Sequence, residues 1–129
     1  MGFLDDLAGN VEANMQLFTT FKVDVLDSEN NALTIRRYQS GPSVRFIDRS
    51  RDDLIGLQVL VRNESQQIAS DTIEAITDYL EMLKEGAVTS SDGSYQFLNC
   101  DIYIHPLLVE KSDANAYLYS AIFQATIHK

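Results

Sequence analysis

The chain has little of what catalytic, disulfide-stapled or membrane proteins depend on. Cys100 is the only cysteine among 129 residues, so neither an intrachain disulfide nor a cysteine-based zinc cluster can form. A single thiol fits a reducing compartment. The six glycines are dispersed rather than gathered into a phosphate loop, and the two histidines, His105 and His128, form no His-Glu-x-x-His pattern. No apolar run approaches the roughly 18 residues of a membrane span. The start, Met1-Gly2-Phe3-Leu4-Asp5-Asp6, carries acids where a secretory signal carries basic residues, and Asp6 stands where a myristoylation signal has Ser or Thr. Basic residues are also scarce. Ten Lys and Arg face nineteen Asp and Glu, for a net charge of −9. That balance argues against a dedicated nucleic-acid binder, which needs a basic face to displace phosphate counterions, and against docking on an anionic membrane.

What remains describes one soluble domain spanning 1–129. Hydrophobic residues make up 45% and charged residues 22%, an ordinary globular balance. A chain this long buries about two-thirds of its unfolded surface on folding, enough for a core without metals or disulfides.

Phe3, Leu4, Leu7, Ala8, Val11 and Met15 recur at helical spacing, which predicts an amphipathic helix over 2–16. Phe21, Val23 and Val25 alternate with polar residues, predicting a strand at 19–26. The turn cluster Asp27–Asn31 then returns the chain as a hairpin into a second strand at 32–39. Ser40-Gly41-Pro42 breaks that strand. Ile55, Leu57, Val59 and Val61 line one face of a third strand at 54–62, and Leu54 and Leu60 enrich the other, as in a central strand. A long helix is expected over 64–85. Its stripe is Ile68, Ala69, Thr72, Ile73, Ile76, Tyr79, Leu80 and Leu83, with Asn63 and Gln66 as a capping box and Gly86 as the stop. Strands at 95–105 and 116–128 complete the chain. In the first of these, Leu98, Cys100, Ile102 and Ile104 are expected to share one face. Loops fall at 40–53, 86–94 and 106–116. The order α-β-β-β-α-β-β predicts an α+β fold, a mainly antiparallel sheet with two helices packed on one face.

No catalytic constellation converges. Cys100 lies among apolar residues, as an inert core thiol does. His105 is five positions away, so strict alternation puts it on the opposite face. The histidines are expected at strand ends. The adjacent acids Asp5-Asp6 and Asp52-Asp53 do not make a carboxylate dyad, because neighbours seldom point the same way. Charge placement is more informative. All six arginines (Arg36, Arg37, Arg45, Arg49, Arg51 and Arg62) fall between 36 and 62. Only Asp48, Asp52 and Asp53 oppose them, which leaves the window at +3 and the rest of the chain at −12. Three readings stand: a solvated loop with local salt bridges, a polar contact surface whose planar guanidinium forks meet acids of a neighbouring copy, and, least favoured by the overall charge, a DNA-binding patch. The long helix supplies such acids at Asp71, Glu74, Asp78, Glu81 and Glu85; alone, they read as a solvated face. The candidate interface residues are therefore Arg36, Arg37, Arg45, Arg49 and Arg51 against Asp71, Glu74, Asp78 and Glu81.

The succession Leu33-Thr34-Ile35-Arg36-Arg37-Tyr38, Ser40-Gly41-Pro42 and Arg45-Phe46-Ile47-Asp48-Arg49-Ser50-Arg51 resembles the minor capsid and tail terminator (tail-completion) proteins of long-tailed bacteriophages. So do Leu57–Asn63 leading into the long helix and the close Tyr117–Ala125. The resemblance runs over residues 20–127. It implies a structural virion protein without enzymatic activity or cofactor. Such a subunit forms a homo-oligomeric, hexameric ring on the head-proximal end of the tail tube, stops tube growth and joins the head connector. Its implied partners are the major tail tube protein and a head-completion or connector protein. DNA is expected to pass through the lumen without specific binding, which negative charge on its lining would favour. The alternative is a head-side completion or adaptor protein of the head-tail connector. Assembly is expected in the host cytoplasm.

Overall fold

Residues 3–24, 31–38, 44–45, 51–90, 93, 95–111 and 116–128 are described by the computed structural model. The elements are α1 (Phe3–Asn14), β1 (Phe21–Val23), β2 (Ala32–Tyr38), β3 (Val44–Arg45), β4 (Arg51–Asn63), α2 (Gln66–Met82), β5 (Gln96–Lys111) and β6 (Tyr117–His128). The fold is α+β. The expected element order holds, with the two-residue β3 added inside the segment read as a loop. Six strands form one sheet in the order β1-β2-β4-β6-β5, with β3 beside β4. From β2 through β4 and β6 to β5 every pairing is antiparallel.

The hairpin expected between the first two strands does not form. β1 runs parallel to β2, with Phe21 opposite Leu33 and Val23 opposite Ile35. Alternation identifies strands but carries no information about their direction. β1 is followed by Asp24, which takes φ 57, a left-handed conformation that Asp tolerates better than most residues. Its amide donates to Ile35 O at 2.9 Å and its Oδ1 accepts from the Arg37 amide at 3.1 Å. The strand therefore ends at Val23, before the expected end at 26. Residues 25–30, which include most of the expected turn, lie outside the described residues.

Both helices cover one face of the sheet. Leu7 and Val11 of α1 and Ile73, Ile76 and Leu80 of α2 meet Leu33, Ile35, Leu57, Val59, Ala121 and Phe123 in a common core. Burying one such side chain contributes about 1.5–3 kcal/mol. Phe3 stacks on Phe97 at 6.1 Å and meets Tyr95 edge-on at 5.4 Å, which pins the start of α1 to β5. Polar ties hold the helices in register. Tyr79 OH donates to Asn10 Oδ1, Tyr95 OH donates to Asp6 Oδ2 at 2.8 Å, and the Phe21 amide donates to the Glu12 carboxylate at 2.7 Å.

The ends of α2 differ from the sequence reading. Ser65, not Asn63, is the N-cap, and its Oγ accepts from the Ile68 amide at 3.3 Å. Asn63 is the last residue of β4. It is buried, and its Oδ1 accepts from the Ser65 amide at 2.8 Å. Leu83 closes the helix in an extended conformation. Gly86, at φ +79, instead donates its amide to Phe97 O at 2.8 Å, tying the α2–β5 connection to the sheet.

β5 differs most. It continues through Pro106 to Lys111, where a loop is expected from 106. An edge strand accepts proline because its outward amide has no ladder partner. Register shifts near Leu98, Tyr103, His105–Pro106 and Val109 break its alternation. Phe97 and Cys100 consequently share the buried face, whereas Ile104, expected beside Cys100, pairs with Ile122 on the other side.

Candidate assembly surfaces

The sheet face turned away from the helices carries a polar ladder. Arg36 Nε donates to Gln58 Oε1 at 2.7 Å, and Gln58 Nε2 donates to Ser120 Oγ at 2.8 Å, joining β2, β4 and β6. Register explains it: Arg36 lies opposite Gln58 and Leu60 opposite Ser120. Ala32, Thr34, Leu60, Leu118 and Ile122 on this same face are buried, although no helix lies over them among the described residues. Arg62 reaches across Leu118 toward Glu110 of β5, 3.9 Å away, a weak ion pair at that range.

The arginine window therefore divides. Arg36 and Arg62 hold their own subunit together. Arg37 is exposed next to Tyr38 at the end of β2. Arg45 and Arg51 are described only by their backbones, which pair β3 with β4. Arg49 lies outside the described residues.

The acidic helix face is intact. Asp71, Glu74, Asp78 and Glu81 are all exposed, and Asp71 accepts two hydrogen bonds from Gln67 Nε2. Glu74, Asp78 and Glu81, with Thr77, form one wall of an open groove of about 350 Å³; His105 and Pro106 of β5 form the other. The bulged strand has carried His105 to the helix side, so parity does not separate it from Cys100 as expected. Burial does. Cys100 is 1% exposed, and burial, reinforced by Asp101 and Glu81, pushes its thiol up to about 12. It is protonated at neutral pH and has no nucleophilic character there. Among the described residues, no group of His, Cys, Asp or Glu is arranged to hold a metal.

The sequence reading missed one surface. Beyond the groove, β5 exposes Tyr103 at 63%, Leu107 at 49%, Leu108 at 44% and Val109 at 52%. The available signal was an apolar run interrupted by a proline, the pattern of an edge strand.

A small α+β domain whose described surface is divided among an acidic helix face, an apolar strand edge and an internal polar ladder has the make-up of an assembly part. The family model of the bacteriophage tail terminator proteins matches residues 8–129, almost the whole length, and the chain belongs to that family. It is thereby a structural component of a phage virion. No curated protein matches it.

Proposed function

We propose that this chain forms a closed ring, hexameric in the implied form, on the head-proximal end of the tail tube, where it stops tube polymerisation and offers the joint to the head connector. The observation that carries this reading is the separation of contact surfaces across the sheet. The acidic face of α2 and the apolar half of β5 lie at one side. The exposed Arg37 lies on β2, with β4 and β6 between. A ring requires two different patches that meet head to tail, and opposite charges on them favour correct encounter over wrong pairing. The net charge of −9 suits a lumen through which DNA slides without adhering. Assembly takes place in the host cytoplasm, and the working location is the head-tail junction.

Tail assembly in the absence of the chain tests this. The expected result is tubes longer than normal by electron microscopy, restored to normal length by added protein, with a ring density at one end. Normal tubes without the protein overturn the reading. Binding to DNA-filled heads, and not to tails, points to a head-side adaptor instead.

A further inference from the structure

Resting on the ring reading, we propose that the exposed stretch of β5 around Leu107 and Leu108 pairs antiparallel with β1 of a second copy, so that one sheet runs on from subunit to subunit. β5 and β1 are the two outermost strands, and no described strand pairs on the outer side of either. The run Ile102–Val109 contains no Asp, Glu, Lys or Arg, and Leu107 and Leu108 are 49% and 44% exposed. A long apolar edge left open is an aggregation hazard unless a partner covers it. The β1 edge has a backbone rung to offer. The Asp24 amide faces β2 through its bond to Ile35 O, so alternation turns the amide and carbonyl of Val23 outward. Glu12 already takes the Phe21 amide.

Register, strand sense and charge select this occupant. The pairings place Leu107 level with Ser120, Leu60, Thr34 and Lys22, and Leu108 level with Tyr119, Val61, Leu33 and Phe21. β1 thus lies at the height of the open stretch. It is parallel to β2, and β2, β4, β6 and β5 are successively antiparallel, so β1 and β5 run in opposite senses. A copy that continues the sheet past β5 with its helices on the same side therefore presents β1 antiparallel, and repetition makes a head-to-tail array. Two side-chain matches follow. Leu108 pairs with Tyr119, which packs on the helix-side core. It therefore projects on the side where Met15, Leu17, Thr19 and Thr20 of the neighbour line an open groove of about 340 Å³. Lys22 is exposed and stands on the opposite face from the buried Phe21. Glu110 is on that face beside Arg62, one diagonal step from Lys22. Lys22 is the only charged residue in 13–23, so no like charges face each other along the two strands. Two β5 edges paired with each other would instead set Glu74, Asp78 and Glu81 of both copies side by side.

A cysteine pair tests the register. Lys22→Cys with Leu107→Cys, in a Cys100→Ala chain, is assembled with and without tail tubes and oxidised. The expected result is a ladder of disulfide-linked oligomers on a non-reducing gel, absent from either single cysteine and from a Tyr38→Cys, Leu107→Cys pair. Sedimentation then measures assembly of Thr20→Glu with Lys22→Glu on one edge and Leu107→Ser with Leu108→Ser on the other, with circular dichroism checking the fold. Each is expected to lose assembly by about tenfold or more. Folded variants that assemble as wild type does, or rings of the cysteine pair that stay unlinked, overturn this contact and leave the ring standing. Linkage through Tyr38→Cys overturns the register, and a dimer from Leu107→Cys alone overturns the contact in favour of β5 against β5. A wild-type chain that never assembles, even on tubes, overturns the ring and the contact together.

Discussion

The two halves of β5 have similar apolar content and opposite fates. In the first half Phe97 and Cys100 are 0% and 1% exposed, sealed beneath α1 and α2. In the second half Tyr103 and Val109 are 63% and 52% exposed. The strand is continuous, and its pairing with β6 continues to Lys111 opposite Tyr117. The difference lies in what covers it. Hydrophobic composition therefore marks the first half as core and the second as surface only once the position of α2 is known. An exposed apolar stretch on a folded subunit is a statement about partners rather than stability.

The largest expected effect that sharpens this contrast is at Phe97. Phe97→Ala should cost about 3–5 kcal/mol in urea unfolding, since it empties a packed site beneath α1. A cost below 1 kcal/mol would break the contrast from the buried side. Next is a pH dependence at Cys100. Its folded value is pushed up to about 12 from 9.0, so above pH 9 the unfolded chain loses a proton that the folded chain keeps. Stability contributed by this group is complete below pH 9 and falls as pH rises toward 12. Between pH 8 and 10 the loss should be about 1.4 kcal/mol, and Cys100→Ala should remove that slope. Smaller is Ser65→Ala, which deletes the N-cap of the covering helix and should lower stability by about 1 kcal/mol. Smallest is Val109→Ala in the isolated subunit, expected within about 0.5 kcal/mol of wild type. A cost comparable to that of Phe97→Ala would show that the second half is covered within the subunit after all.

Much of the architecture was legible because burial leaves a period. Phe3, Leu4, Leu7, Ala8 and Val11 were read as one face of a helix, and all are buried. Ile55, Leu57, Val59 and Val61 were read as one face of a central strand; they are, and β4 has neighbours on both sides. What escaped was whatever breaks a period. The shift near Leu98 exchanged Leu98 for Phe97 in the core, and the shifts beyond it moved His105 to the helix side. Direction escaped as well, because β1 reads the same parallel or antiparallel. The candidate interface was half legible. The acids of α2 are exposed on one helix face as their spacing required. The arginines looked equivalent in sequence, yet Arg36 binds Gln58 while Arg37, one position on, is exposed.

The sequence alone determined the class of this protein. Its acidic composition and helix and strand periods fit an α+β domain, and its motifs carry the family resemblance, because composition and local spacing are properties of the chain itself. The tertiary structure decided which of those residues face outward. Pairing direction, strand bulges and the placement of α2 arise from contacts distant in sequence. Those contacts hold Arg36 within the sheet and bury Cys100. They also leave the far end of β5 apolar and open.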